Sequence, residues 1–373
     1  MADWNPAAVR MQYNLVLTEA EKAEILAQLP PAEDGNRYAD AVFEGGGVKG
    51  TAFLGALRCF SEVGIRWRKL AGTSAGSITA ALVAAEVGIE ELEASLGQLD
   101  YVEDLLSEPT SRFLFQRSPD RALDNPLGLV ANLWVTRQLG KYSTDPLRNW
   151  VAGILGDRLH TFADLSDSPD LPWHQRRALK IIVSDITHGE MLVLPDDLER
   201  GVNQAAMKQY NLSRQDDFSV AEAVRLSSSI PFFFEPGRLG DATIVDGGIL
   251  SNFPLWIFDL NQIAQPNPPM PRCPTFGFRI ADDMAKPTID SAIDVFSAML
   301  TTIMVAKDRF HLRKNGQGRV INIDTTGVTA TQFNLSNADK DRLYRQGYEA
   351  TRAFLLNEWN WTEHLRSRGY DVA

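Results

Sequence analysis

Glu44-Gly-Gly-Gly-Val-Lys-Gly50 and Gly72-Thr-Ser-Ala-Gly76 decide how this chain is read. Each follows a run with strand character, residues 39–43 and 66–71, and each opens a run with helix character, residues 48–63 and 77–85. Strand-helix-strand-helix succession predicts an α/β fold with a mostly parallel sheet covered by helices. The first stretch is a glycine loop. The second has the G-x-S-x-G pattern of a serine presented on a strand-to-helix turn. Far downstream, Asp246-Gly247-Gly248 ends another strand-like run, residues 242–245.

Outward from these stretches, residues 17–29 read as a helix with a capping box made by Thr18 and Glu21. Residues 90–160 interrupt the α/β pattern with helices and loops. Within them, residues 100–135 carry Phe113, Phe115, Leu129, Leu133 and Trp134 without a strand period, which fits either a mobile cover or a plain helical subdomain. The sheet resumes at 178–183, with 191–194 as a hairpin partner. A helix at 220–226, strands at 243–245, 275–279 and 319–323, an amphipathic helix at 289–311 and a closing helix at 339–356 follow. The Pro-rich run 265–271 reads as a surface loop.

The chain has 373 residues, 44% of them hydrophobic, enough for a large core. Its net charge of −11 argues against a nucleic-acid partner, which calls for a basic face, and against permanent adhesion to anionic lipid. The two cysteines, Cys59 and Cys273, form no metal spacing, and Cys59 falls on an apolar helix face as a buried thiol. The start lacks the charged and apolar regions of a signal peptide, and no apolar run reaches membrane-spanning length. A soluble, cytoplasmic protein is expected, with contact at a membrane surface only transient.

G-x-S-x-G arises by chance in roughly one chain of this length in ten, given Gly near ~7% of residues. Its setting between strand and helix raises its value. Two readings stay open there: an exposed nucleophile, Ser74, or a helix N-cap serine. The glycine loop Gly45 to Gly50 also fits a dinucleotide-binding pattern. That pattern needs an acidic residue at the end of the next strand, and here the strand runs into Gly72-Thr-Ser instead. A backbone nest for an oxyanion fits better. Asp246, 172 residues beyond Ser74 (246 − 74), supplies a carboxylate at a strand end, although alone it would read as an ordinary Asp-Gly turn. None of the five histidines, His160, His174, His188, His311 and His364, sits in a catalytic setting; His311 ends a helix beside Arg309, Arg313 and Lys314.

Taken in order, Gly45 to Gly50, Gly72 to Gly76 and Asp246 to Gly248 resemble the patatin-like phospholipase family, with its G-x-G-x-x-G loop, G-x-S-x-G elbow and D-G-[GA] motif. Ala223-Val-Arg-Leu-Ser-Ser-Ser-Ile-Pro-Phe-Phe-Phe-Glu-Pro236 and Asp246-Gly-Gly-Ile-Leu-Ser-Asn-Phe-Pro254 extend the likeness, which covers roughly residues 39–256. The resemblance implies a patatin-like three-layer sandwich with a helical insertion after the nucleophile helix. It divides the chain into an N-terminal helical extension (1–36), a catalytic core (37–260, insertion about 90–160) and C-terminal strands and helices completing the same domain (261–373).

It also implies a Ser-Asp dyad without histidine: Ser74 the nucleophile, Asp246 the general base, and the Gly46, Gly47 and Val48 N–H groups the oxyanion hole. Gly45, Gly50, Gly72, Gly76, Gly247 and Gly248 are the motif glycines. Lys49 stands where the family has Arg or Lys and is a candidate head-group contact or an ion-pair partner. The expected activity is lipid acyl hydrolysis of phospholipase A or lysophospholipase type, with no cofactor and no metal. A phospholipid or other acyl ester is the expected partner, and no motif specifies an activating protein. A carboxylesterase or acyltransferase on soluble substrates, or a silent lipid- or partner-binding scaffold, are the alternatives. Because an ordinary Asp near 3.9 is a weak base, the dyad needs Asp246 buried beside Ser74, with Ile230 and Phe232-Phe-Phe234 as candidate apolar surroundings.

Overall fold

The computed structural model describes residues 4–97, 99, 140–199, 204–259, 269–281, 318–330 and 332–372. The expected cover at 100–135, the helix at 289–311 with His311, and most of the Pro-rich run lie outside the described residues.

In chain order the described elements are α1 (Pro6–Tyr13), α2 (Glu19–Gln28), β1 (Tyr38–Phe43), α3 (Thr51–Val63), β2 (Arg66–Thr73), α4 (Ala75–Ala84), α5 (Ile89–Gly97), β3 (Gly140–Tyr142), α6 (Asp145–Leu155), β4 (Ala178–Asp185) and β5 (Glu190–Leu194). They continue with α7 (Gln204–Gln209), α8 (Val220–Ser227), β6 (Phe232–Phe234), β7 (Gly237–Leu239), β8 (Ala242–Asp246), β9 (Thr275–Ala281), β10 (Val320–Asp324), α9 (Asn337–Ala353) and α10 (Trp361–Ser367). Thr18 and Glu21 form the expected capping box on α2. Residues 47–50 make a 3-10 turn before α3 begins, so the helix starts later than its apolar periodicity suggests. β2 runs two residues past Ala71, which leaves Ser74 as the pivot of the elbow.

One mixed, mostly parallel sheet organises these elements. β10, β9, β1, β2 and β4 are parallel neighbours, while β5 and β8 pair antiparallel with β4, and β7 with β8. Alternation within each strand splits the core in two. Ala41, Phe43, Leu70, Ile181 and Val183 belong to the cluster shared with α3, α4 and α9. Val42, Ala71 and Ile182 face Phe253, Leu255 and Ile257 on the other side. The chain therefore has the expected α/β architecture, with β1 buried along its full length.

Register decides what meets at the end of the sheet. β5 pairs residues 181–185 of β4, β2 pairs 178–182, and β8 pairs 183–185. A strand has two edges, so β2 and β8 share the edge opposite β5. They approach from opposite directions and meet end to end: Thr73 lies opposite Ile182, and Asp246 opposite Val183. The residue after Thr73 and the last residue of β8 are thus brought together by pairing alone. A Cβ on Gly247 would collide with the Ile182 carbonyl, which is why glycine follows Asp246 where the two strand ends converge.

α3, which carries the glycine loop, is fixed by α9. Gly55 on α3 and Gly347 on α9 face each other's backbones; a Cβ on either would overlap the Tyr344 or the Ala52 carbonyl. Buried Glu93 adds a polar clamp: it accepts from Arg58 at 2.6 and 2.8 Å, from Arg10 at 2.8 Å and from the Tyr344 hydroxyl at 2.5 Å.

Gly347→Ala is expected to force α3 and α9 apart and cost about 1–3 kcal/mol, as overpacking does. Gly55→Ala should act similarly, and the double variant should lose less than the sum, since one methyl already parts the helices. Urea unfolding measures this; an unchanged midpoint would contradict the close-contact account.

Candidate active site

The glycine loop leaves β1 under tight control. Glu44 N–H donates to the Phe278 carbonyl at 3.0 Å, and the Glu44 carboxylate accepts from Ile280 N–H at 2.6 Å. Gly45 and Asn252 exchange a reciprocal pair: Gly45 N–H to the Asn252 carbonyl at 3.0 Å, and Asn252 Nδ2 to the Gly45 carbonyl at 3.0 Å. Gly47 sits at φ +56°, the left-handed region that favours glycine. Among the described residues the Gly46 and Gly47 N–H groups have no backbone partner. The Val48 N–H does: it donates to the Ala330 carbonyl at 3.1 Å. The expected third oxyanion donor is thus engaged by a segment from the far end of the chain. Lys49 is buried in the turn before α3.

At the elbow, Ser74 has φ +51° and ψ −125°, a strained conformation for a residue with a side chain. Its surroundings hold it there. The Ser74 carbonyl accepts from Ser77 N–H at 2.8 Å, Ser77 Oγ at 2.6 Å and Ile78 N–H at 3.2 Å. The Ser74 N–H donates to Ser227 Oγ at 2.9 Å, and the Ser227 hydroxyl donates onward to the Ile182 carbonyl at 2.6 Å. Side chains at Gly72 and Gly76 would strike the Gly76 and Phe43 carbonyls, so both ends of the turn need glycine. Ser74 precedes α4, yet its side chain makes no capping hydrogen bond, which decides against the N-cap reading.

Asp246 closes the constellation. It is 4% exposed, and its N–H donates to the Ser229 carbonyl at 2.9 Å. Oδ1 accepts the Gly248 N–H at 2.8 Å, so the Asp-Gly turn is real as well. Burial pushes the carboxyl up to about 6, against the opposing pull of hydrogen bonding from the Ser74 side chain and the Gly248 N–H. An acid shifted this way accepts a proton near neutral pH far better than an ordinary aspartate.

The four described histidines make their contacts elsewhere. His188 Nδ1 pairs with Asp185 at 2.7 Å, His174 lies 3.3 Å from Glu33, and His160 is exposed. His364 is buried and accepts from the Thr275 N–H at 3.3 Å, at the start of β9 and hence the opposite end of the sheet from Gly45. No cluster of metal-ligating groups occurs among the described residues.

Ser227, Ser229, Asn252 and Ala330 are the residues that reading the sequence did not single out for the site. The first three stand in the segments flanking the aspartate, and the run Ser227-Ser-Ser229 was the one local signal for the two serines. Ala330 has none.

A serine on a strained elbow, an adjoining buried carboxylate and, among the described residues, two glycine-loop amides without a backbone partner lie together at one end of the α/β sheet. The chain belongs to the patatin-like phospholipase family, which matches residues 41–259. That membership supports lipid acyl hydrolysis as its general activity. Over 332 residues it is 36% identical to protein YqhO of Bacillus subtilis (strain 168), covering 87% of this chain and all of that protein. Protein R571 of Acanthamoeba polyphaga mimivirus is 22% identical over 60% of this chain and 62% of its own. Among solved structures, VipD from Legionella pneumophila aligns with a TM-score of 0.48 and 16% identity over 89% of this chain and 70% of its own. ExoU from the type III secretion system of Pseudomonas aeruginosa, in complex with SpcU, aligns with a TM-score of 0.43 and 17% identity over 88% of this chain and 53% of its own.

Ser227→Ala removes the partner of a buried amide at the elbow. It should cost about 1–3 kcal/mol, the penalty for leaving such a group unsatisfied. Thermal and urea unfolding test this, and an unchanged stability would mean that the Ser74 N–H does not depend on Ser227.

Proposed function

We propose that the protein is a serine lipid acyl hydrolase of phospholipase A or lysophospholipase type, working through a Ser74-Asp246 dyad and an acyl-enzyme on Ser74. The observation that carries this is the end-to-end meeting of β2 and β8 on one edge of β4, which sets a strained serine beside a buried carboxylate.

Ser74 Oγ attacks the acyl carbonyl carbon as Asp246 takes its proton. Negative charge develops on the carbonyl oxygen, and the Gly46 and Gly47 N–H groups stabilise it. Collapse of the intermediate breaks the ester C–O bond, and protonated Asp246 returns its proton to the leaving alcohol oxygen. Water then attacks the acyl-enzyme, with Asp246 again as base, and releases the fatty acid and free Ser74. Every proton passes through one carboxylate, so no histidine is required. With its N–H held by Ala330, Val48 supports the loop and is not a donor. Burial of Lys49 favours a structural role over head-group contact. No described helix is long and apolar enough to cross a membrane.

Ser74→Ala and Asp246→Asn should each abolish product formation by phospholipid product mass spectrometry, and the double variant should be little worse than either. Near wild-type turnover in Asp246→Asn would overturn the dyad.

Two pH effects follow from the raised carboxyl. As base, Asp246 must be ionised, so kcat/KM should climb as pH rises through about 6. For stability the sign is opposite. Because the folded pKa lies above the unfolded one, the folded state holds its proton longer, and stability falls between about pH 4 and 6. Above that the penalty is on the order of 3 kcal/mol. Asp246→Asn should therefore melt higher than wild type at pH 7 to 8 and lose that advantage at pH 4. A lower melting temperature at pH 7 would contradict the assignment of Asp246 as a destabilised, buried base.

A further inference from the structure

The match to the family ends at residue 259, yet a later segment reaches the site. The Ala330 carbonyl accepts the Val48 N–H at 3.1 Å, on the glycine loop. It lies so near Gly47 that any side chain there would overlap it. Three residues on, Phe333 stacks on Phe233 with ring centroids 4.8 Å apart and planes 16° apart. Phe233 belongs to β6, whose ring is also 5.1 Å from Tyr142 on the paired β3. β6 begins three residues after Ser229, whose carbonyl accepts the Asp246 N–H. One side of this segment is therefore anchored on the oxyanion loop and the other on the aspartate side of the cleft.

Three residues of extended chain span at most about 10 Å. Phe333 therefore lies within about that distance of Ala330, which touches the glycine loop. The oxyanion loop, where the carbonyl oxygen of an acyl group on Ser74 is proposed to sit, is thus flanked by this segment. Apolar groups on this side of the loop are Ile280, whose Cδ1 lies 3.2 Å from the Cβ position of Gly46, and, beyond Ala330, the stacked Phe333 and Phe233 rings. Both rings are nearly sealed from solvent, Phe233 at 8% and Phe333 at 6% exposure, so they fill space.

We propose that the Phe233–Phe333 stack closes the far end of the acyl subsite and limits the length of the acyl chain accepted, while Ala330 positions the glycine loop. Phe333 is thus a specificity-determining residue supplied from outside the family-matching region. This rests on the reading of Ser74 as an acyl-transferring nucleophile.

The test uses the full chain and soluble p-nitrophenyl esters from butyrate to decanoate, below their micelle concentrations, with kcat/KM measured for each. Truncating Phe333 opens room for several methylenes, each worth about tenfold or more in a fitting pocket. Phe333→Ala should raise the decanoate-to-butyrate ratio by about tenfold or more. Phe333→Leu, which keeps more of the volume and guards against misfolding, should raise it less, and Phe233→Leu should move it in the same direction. An unchanged or reduced ratio in properly folded variants overturns the gauge, as does equal loss on all esters with a lowered melting temperature, which marks plain core packing. A wild-type protein that hydrolyses none of the series overturns the hydrolase reading itself and the gauge with it.

Discussion

The meeting of β2 and β8 on a single edge of β4 is the constraint on which the rest depends. Parallel pairing carries the first strand to Ile182, antiparallel pairing carries the second to Val183, and neither can extend without colliding with the other. Both must turn away there, and each turn presents a functional group. The elbow at Ser74 turns through a positive φ, a conformation that costs about 1–3 kcal/mol. Hydrogen bonds to both its amide and its carbonyl, and two glycines flanking it, keep that strain in place. The serine side chain is left out of this network and remains available for chemistry.

The proposed base shows the same economy. Asp246 needs no charged neighbour to tune it, because burial alone lifts its carboxyl towards neutrality, while Gly248 and Ser74 keep it from rising further. A histidine would supply a base of suitable strength without burial. Here the sheet supplies the burial, and stability is lost in exchange. The glycine loop completes the set: its tie to Asn252 joins it to the segment after Asp246, so the proposed nucleophile, base and oxyanion donors all hang on the same strand ends.

Much of this was legible in the chain itself. The glycine loop, the elbow and Asp246 stand out because close backbone contacts demand glycine at fixed places, and such demands are local. Strand and helix bounds followed apolar periodicity, as in β4 and β5, and the capping box on α2 came out as read. What was not legible is tertiary. The hydroxyl of Ser227 matters only because Ser74 N–H and the Ile182 carbonyl lie either side of it. The Val48 N–H was expected to serve the oxyanion, but Ala330 accepts it, and no spacing announces a carbonyl that arrives 282 residues later (330 − 48). The N-cap reading of Ser74 was equally consistent with the sequence; only the side chain's absence from any capping bond removed it. The short sheet of β3 and β6 was missed because three-residue strands carry no period.

Covalent trapping tests the central claim most directly. A fluorophosphonate reacts only with a serine whose oxygen is activated and whose developing charge is stabilised, and peptide mass mapping locates the adduct. The account predicts one adduct, on the peptide containing Ser74, formed by wild-type protein and not by Asp246→Asn at the same pH. Modification at another residue, or equally rapid labelling of Ser74 without the Asp246 carboxylate, would contradict it.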